Sequence, residues 1–286
     1  PPGSAWCSIQ WRPAFSGSDH LFLSTSLQPA DLTAYLAGTS AAEIEFGRLF
    51  HRDEPLVICD IGACEGEDSV RYARAYPRAR IFAFEPLPSN QALVRANFAR
   101  HAVPNAELVP LALSDRAGEA TFHVSSGRPP DLFAGENWNY GNKSSSLLAP
   151  AQAAPMHGWI EFKEAITVPT GTLDAFCAQR GLGHIDFIQM DVQGAEQLVL
   201  AGATAMLPRI TAIWLEVSIC ESYRGQALAG DITRLMKSHG FKLAHSVHLG
   251  EATGEGDHLY VNLRHPRTWA YAASRPFRTV AGRLKR

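Results

Sequence analysis

No run of about 18 to 20 apolar residues, the length that spans a bilayer, occurs in the 286 residues, and the first residues lack the basic-then-apolar order of a secretion signal. Cysteine is sparse. Cys7, Cys59, Cys64, Cys177 and Cys220 make five, an odd number with no C-x-x-C pair and no histidine spacing suited to zinc. These absences argue against a disulfide scaffold or a zinc module and lead to the expectation of a soluble, cytoplasmic protein. Charge of one sign is lacking as well: the formal net charge is -2, so nucleic acid is not an expected partner. One local exception stands at the end of the chain, where Arg264, Arg267, Arg275, Arg278, Arg283, Lys285 and Arg286 occur with no acidic residue among them, interleaved with Trp269, Tyr271 and Phe277. Residues 265–286 are read as a basic tail that is solvated or self-packed, or that touches a membrane surface or an acidic protein partner. The sequence is silent on oligomeric state.

Internal repeats are also missing, and what replaces them is alternation. Leu32, Tyr35, Leu36, Ile44, Phe46, Leu49 and Phe50 fall at helical spacing, so residues 1–50 are expected to end in a helical cap. From there strand-like and helix-like segments take turns: strand 56–61, helix 68–75, strand 80–85, helix 89–100, strand 106–113 and strand 118–124. After a stretch dense in Gly, Pro, Asn and Ser (125–158), the pattern resumes with strand 166–168, helix 172–179, strand 186–190, helix 195–201, strand 212–217 and helix 230–239, and it closes on a pair of antiparallel strands, 241–247 and 258–263. Near-continuous apolar strands such as Leu56-Val-Ile-Cys59 suit a sheet covered on both faces. The expectation is an α/β, Rossmann-like domain over 51–264, with a seven-stranded, mostly parallel sheet, a reversed last strand, and helices on both faces. Segment 125–158 is read as an irregular lid or substrate segment, and Lys143-Ser-Ser-Ser146 within it as either lid or substrate contact.

Ligands in such sheets bind beyond the carboxyl ends of the strands. Asp60-Ile-Gly62-Ala-Cys-Glu-Gly66 sits at the first such end: Gly62 permits a tight turn, and Gly66 is read as letting the backbone approach a ligand. A dinucleotide fingerprint begun at Gly62 would need glycine where Cys64 and Glu67 stand, and no Gly-Lys-Ser or Gly-Lys-Thr of a phosphate loop follows. Glu65, Glu67 and Asp68 would repel a phosphate yet tolerate a cationic, phosphate-free nucleoside, which points to S-adenosylmethionine. Glu85, about twenty residues on at the next strand end, is placed to accept both ribose hydroxyls, with Pro86 forcing an extended exit. Ser114-Asp115 is read either as an adenine contact or as a simple turn.

At Val57-Ile-Cys-Asp-Ile-Gly62, Phe84-Glu-Pro86, Leu111-Ala-Leu-Ser-Asp115 and above all Ile185-Asp-Phe-Ile-Gln-Met-Asp-Val-Gln-Gly-Ala-Glu196, the chain resembles the FkbM family of methyltransferases over about residues 50 to 264. Cys64 departs from the family's pattern, which commonly has Asn there. The resemblance implies a class I methyltransferase fold and O-methylation by S-adenosylmethionine of a hydroxyl on a small-molecule or glycan acceptor: a sugar, glycolipid or polyketide-type natural product. Asp60, Gly62, Ala63, Gly66, Ser69, Glu85, Pro86, Ser114, Asp115 and Asp191 are the expected cofactor-binding residues. Asp191 and Glu216, at neighbouring strand ends, and His245 are the expected catalytic groups, with His248 and His258 as alternatives to His245 for a base. Asp191 and Glu216 could instead hold a divalent cation such as Mg. Glu196 is read as a helix-dipole partner. Two other functions stay open: a non-catalytic cofactor-binding or scaffold protein of the same fold, and an NAD-dependent oxidoreductase.

Overall fold

A computed structural model describes residues 27–129, 139–151, 158–248 and 254–274, and side chains up to 247 and 273 in the last two spans. Arg275, Phe277, Arg278 and the basic residues beyond them, together with Cys7 and Trp138, lie outside the described residues.

Two short helices, α1 (Thr33–Ala37) and α2 (Ala41–Leu49), precede the sheet. Ser40 starts α2 by accepting the Glu43 N–H at 3.0 Å, which satisfies one of the free amides of its first turn. The principal sheet is built from β1 (Val57–Ile61), β2 (Arg80–Phe84), β3 (Ala106–Val109), β7 (Ile185–Met190), β8 (Ile210–Ser218), β9 (Phe241–His248) and β10 (Glu255–Asn262), and it runs in the order β3-β2-β1-β7-β8-β10-β9. β10 pairs antiparallel with both β8 and β9, so the one reversed strand is the last in the chain, inserted second from the edge. The other neighbours pair in parallel. This is the expected seven-stranded, mostly parallel sheet with a reversed last strand.

Strand side chains alternate between two cores. Cys59, Ile61, Ile188, Met190, Ile213 and Leu215 point to the face covered by α5 (Leu173–Arg180), α6 (Glu196–Ala201) and α7 (Ala229–Ser238). Ile58, Phe187, Ala212 and Trp214 point to the opposite face, where α2 and α3 (Glu67–Ala75) lie. There Phe46 of α2 meets Phe187 edge to face at 4.8 Å and Tyr76 at 4.4 Å, an aromatic clamp fixing the N-terminal helices to the sheet. The remaining helix between strands, α4 (Pro88–His101), begins with proline in its first turn, where no amide hydrogen is missed.

Two expectations change. The strand expected over 106–113 is two: β3 stops at Val109, Pro110 interrupts, and β4 (Ala112–Leu113) joins a different sheet. The short strand expected at 166–168 is the middle of the eleven-residue β6 (Glu161–Gly171), which pairs antiparallel with β5 (Gly118–Ser126) and parallel with β4. That three-stranded sheet stands over the carboxyl ends of the principal one, and a 3-10 turn, Tyr140–Ser144, hangs from it. The segment read as a solvated or self-packed basic tail opens with α8 (Pro266–Ser274). Arg267 donates to Glu54 Oε1 at 2.9 Å and to the Leu49 carbonyl at 3.0 Å, and Tyr271 donates to Glu45 of α2, so this part of the segment packs on its own protein.

Candidate active site

The order of strands reverses on the two sides of β1: the chain leaves β1 for β2 and β3, then returns to lay β7 against β1's other edge. A crevice opens at the carboxyl ends of such a pair. Here the β1 turn is tied to both neighbours. Gly62 and Ala63 each donate an N–H to the Phe84 carbonyl at 3.0 Å, and the Asp191 N–H donates to Ile61 at 2.9 Å. Gly62 has φ +86, and a Cβ there would lie 1.8 Å from the Asp191 carbonyl oxygen, so the β1 and β7 turns touch only because this residue has no side chain.

A cleft lies above these turns, roofed by the smaller sheet. Ile61, Gly62, Cys64, Glu85, Pro86 and Asp191 form its floor, while Leu111, Leu113, Phe122 and Leu147 supply apolar walls. Glu85 is 4% exposed and accepts the N–H groups of Cys64 at 2.9 Å and Leu87 at 2.8 Å. Burial nonetheless pushes its carboxyl up to about 7 from the usual 4.5. Asn142, on the 3-10 turn, donates to Asn90 at 2.9 Å and leaves its own buried Oδ1 without a hydrogen-bond partner. A carboxylate able to take a diol, apolar walls able to take a base and an oxygen waiting for a donor together fit a nucleoside.

Not every expected residue reaches this cleft. Asp60 accepts the Ser69 hydroxyl at 2.6 Å; both are buried beneath the turn and neither lines the cleft. Burial, then the nearby Asp68, raises the Asp60 carboxyl well above its ordinary value. Gly66 has φ +76, but what approaches it is Phe98 and Val94 of α4, not open space for a ligand. Ser114 is drawn away from the cleft, donating its N–H to Gly171 at 2.8 Å, and Asp115 is exposed beside Arg116; Leu111 to Leu113, just before them, line the wall. The acids of the turn also have internal partners. Glu65 accepts from the Ala30 N–H at 3.1 Å and from Asn139 at 2.9 Å, Asp68 accepts the Tyr35 hydroxyl at 2.6 Å, and Glu67 pairs with Lys143. They anchor the N-terminal helices and the inserted segment rather than repel phosphate across an open surface.

At the β7 end, Asp191, Glu196 and Glu216 bring a carboxylate oxygen each within 4.8 Å of one another. Gln193, in the left-handed region at φ 53, binds two of them: its amide donates to Asp191 Oδ1 at 2.7 Å and to Glu216 Oε2 at 3.1 Å. The Tyr223 hydroxyl lies 2.8 Å from Gln193 Oε1 and 2.7 Å from the Ser144 carbonyl, which sets the amide's orientation. Amide hydrogens therefore point where a cation would need lone pairs, so the side chains fit a hydrogen-bonded acid pair better than a metal site. Asp191 faces the open cleft, yet the protein crowding its carboxyl removes enough water to raise its pKa. Glu216 is raised well above its usual value, by burial and then by Asp191. Glu196 accepts the N–H groups of Val192 and Gly194 and is pushed up to about 7 by burial.

The histidines do not join this group. His245 lies 4.0 Å from Glu45 of α2 and stacks loosely on Trp214 at 6.2 Å, outside the cleft lining. A β-bulge at Ala244, where the β9–β10 register shifts, reverses the phase set by Leu243 and sends His245 to the α2 side, which corrects its expected role as a base. His258 is buried, with Nδ1 3.0 Å from the Tyr260 hydroxyl, and the His248 side chain lies outside the described residues. The sequence reading missed Asn90, Asn142, Gln193 and Tyr223. Only Gln193 left a trace, as a polar residue before glycine at a strand end.

The Methyltransferase FkbM domain model matches residues 60–243. The 2-O-methyltransferase NoeI of Sinorhizobium fredii is 37% identical over 216 residues, which cover 76% of this chain and 83% of that protein. The 31-O-demethyl-FK506 methyltransferase FkbM of Streptomyces tacrolimicus is 29% identical over 198 residues, 65% of this chain and 72% of that one.

Proposed function

Because the chain belongs to the FkbM family and is an S-adenosylmethionine-dependent methyltransferase, we propose that it methylates a hydroxyl group of a small molecule, sugar, glycolipid or polyketide-type natural product. The observation that carries the hydroxyl assignment is the Asp191–Gln193–Glu216 arrangement at the cleft's β7 end. The two relatives support it, since both names specify transfer to oxygen.

When bound, the cofactor supplies an electrophilic methyl group on a sulfonium centre. Glu85 holds the ribose hydroxyls, and Leu111, Leu113 and Phe122 enclose the base. Asp191 reaches the cleft directly, so it takes the acceptor's proton as the bond to carbon forms. Glu216 does not line the cleft; it tunes Asp191 through Gln193, whose strained backbone the β7 turn holds in place. A carboxyl raised by its surroundings is a stronger base once ionised than one at its ordinary pKa, which suits a hydroxyl better than a carboxylate or thiol acceptor.

The test is transfer of labelled methyl from S-adenosylmethionine to a panel of polyhydroxylated acceptors, followed by alkaline treatment. Label that survives alkali in a methyl ether supports the proposal. Label confined to alkali-labile esters or to amines contradicts it.

A further inference from the structure

The cleft lining carries three charged side chains among the described residues, and two of them, Glu85 and Asp191, are acids. The third is Lys143. It rides on the 3-10 turn Tyr140–Ser144 and ends beside the start of α3, pairing with Glu67 and lying 3.8 Å from Cys64 Sγ. Its side chain is one quarter exposed and that of Glu67 one eighth, so the pair is screened from bulk water but open to the cleft. Burial works against an ammonium here, but Cys64, Glu67 and Glu65 outweigh it and keep the lysine protonated.

The turn is also pinned. Ser125 Oγ donates to the Gly141 carbonyl at 2.7 Å and accepts the Ser144 N–H at 3.0 Å, and a Cβ on Gly141 would sit 2.2 Å from the Gly127 carbonyl oxygen. Asn142, next to the lysine, is tied to Asn90 of α4. A lysine that only fastened the insert to α3 would have no reason to present itself to the cleft. Held on a rigid turn, its charge is pre-organised for an anion entering there.

S-adenosylmethionine has one anionic group, the carboxylate of its amino-acid end, and the rest of the cleft is electrostatically hostile to it. With Glu85 taking the ribose, the amino-acid end extends toward the Gly62-Ala-Cys64 turn, where Lys143 stands. We propose that Lys143 binds the cofactor's carboxylate, with Glu67 holding the ammonium in position. The inserted segment is then part of the cofactor site as well as its roof. This inference rests on the reading of the cleft as the cofactor site.

The experiment compares two ligands on the full chain by calorimetry: S-adenosylhomocysteine, which carries the amino-acid end, and methylthioadenosine, which lacks it. Lys143→Gln should weaken S-adenosylhomocysteine roughly tenfold to a hundredfold, the scale of a charged hydrogen bond, and leave methylthioadenosine within about twofold. Because Lys143→Gln leaves the mostly buried Glu67 without its cation, the double variant Lys143→Met with Glu67→Gln repeats the comparison without that liability, and the same split is expected. Equal loss for both ligands, or no loss for either, overturns the assignment. If the wild-type chain binds neither ligand, it is the cofactor site itself that fails.

Discussion

With the ribose on Glu85, as proposed, cofactor binding depends on pH with a definite sign. The Glu85 carboxyl is raised to about 7 in the free protein, chiefly by burial, with the Leu87 and Cys64 amides offsetting only part of that effect. Ribose hydroxyls donating to it favour the ionised form and return it toward the ordinary carboxylate range. Above about pH 7 the free protein already holds the carboxylate ionised, so affinity for S-adenosylhomocysteine should be flat there. Below it, binding must first expel a proton, and affinity should fall as the pH drops through about 7 and onward to the bound-state pKa. With a free-state value of about 7, the loss between about pH 8 and about pH 5.5 is roughly thirtyfold, or about 2 kcal/mol. Calorimetry at about pH 6 in buffers of different ionisation enthalpy should register close to one proton released per ligand. Glu85→Gln cannot titrate, so it should bind more weakly and without that slope. A wild-type affinity that stays level across this range, or a Gln variant that keeps the slope, would refute the reasoning.

Asp191→Asn should lower the turnover number by roughly a hundredfold to ten-thousandfold, the usual contribution of a general base, while S-adenosylhomocysteine affinity changes by less than about threefold; a comparable loss of affinity would instead make Asp191 a cofactor ligand. Gly62→Ala drives a Cβ onto the Asp191 carbonyl in a left-handed backbone, so chemical denaturation should show at least about 3 kcal/mol of destabilisation, and a wild-type midpoint would show that the two turns do not meet as described. Exhaustive treatment with a chelator should leave methyl transfer intact, since Gln193 already occupies the acids with hydrogen-bond donors; activity lost and then restored by Mg would reverse that conclusion.

The strands and helices were legible where periodicity and burial coincide. Ile58, Cys59 and Ile61 must be apolar on two faces because β1 is covered on both, and that two-sided demand is visible in the sequence. The smaller sheet was less visible because β6 is half solvated: Glu161, Lys163 and Glu164 occupy its outer end, and only Ile166 to Val168 read as strand. That Glu85 stands beside the Gly62 turn could be read from its spacing, since both lie at the carboxyl ends of neighbouring strands. His245 could not be placed, because a one-residue change in strand phase decides which face it takes. The surroundings of Ser114 were not legible, since its N–H is held by the Gly171 carbonyl of β6, more than fifty residues on. The acids Glu65, Glu67 and Asp68 looked like a repulsive flank only because their partners Ala30, Lys143 and Tyr35 come from distant parts of the chain.

A crystal structure with S-adenosylhomocysteine bound tests the central claim most directly. The account predicts both ribose hydroxyls on the Glu85 carboxylate, the base between Leu111, Leu113 and Phe122, and the sulfur turned toward Asp191. A ligand whose ribose avoids Glu85, or whose sulfur faces away from Asp191, would contradict it.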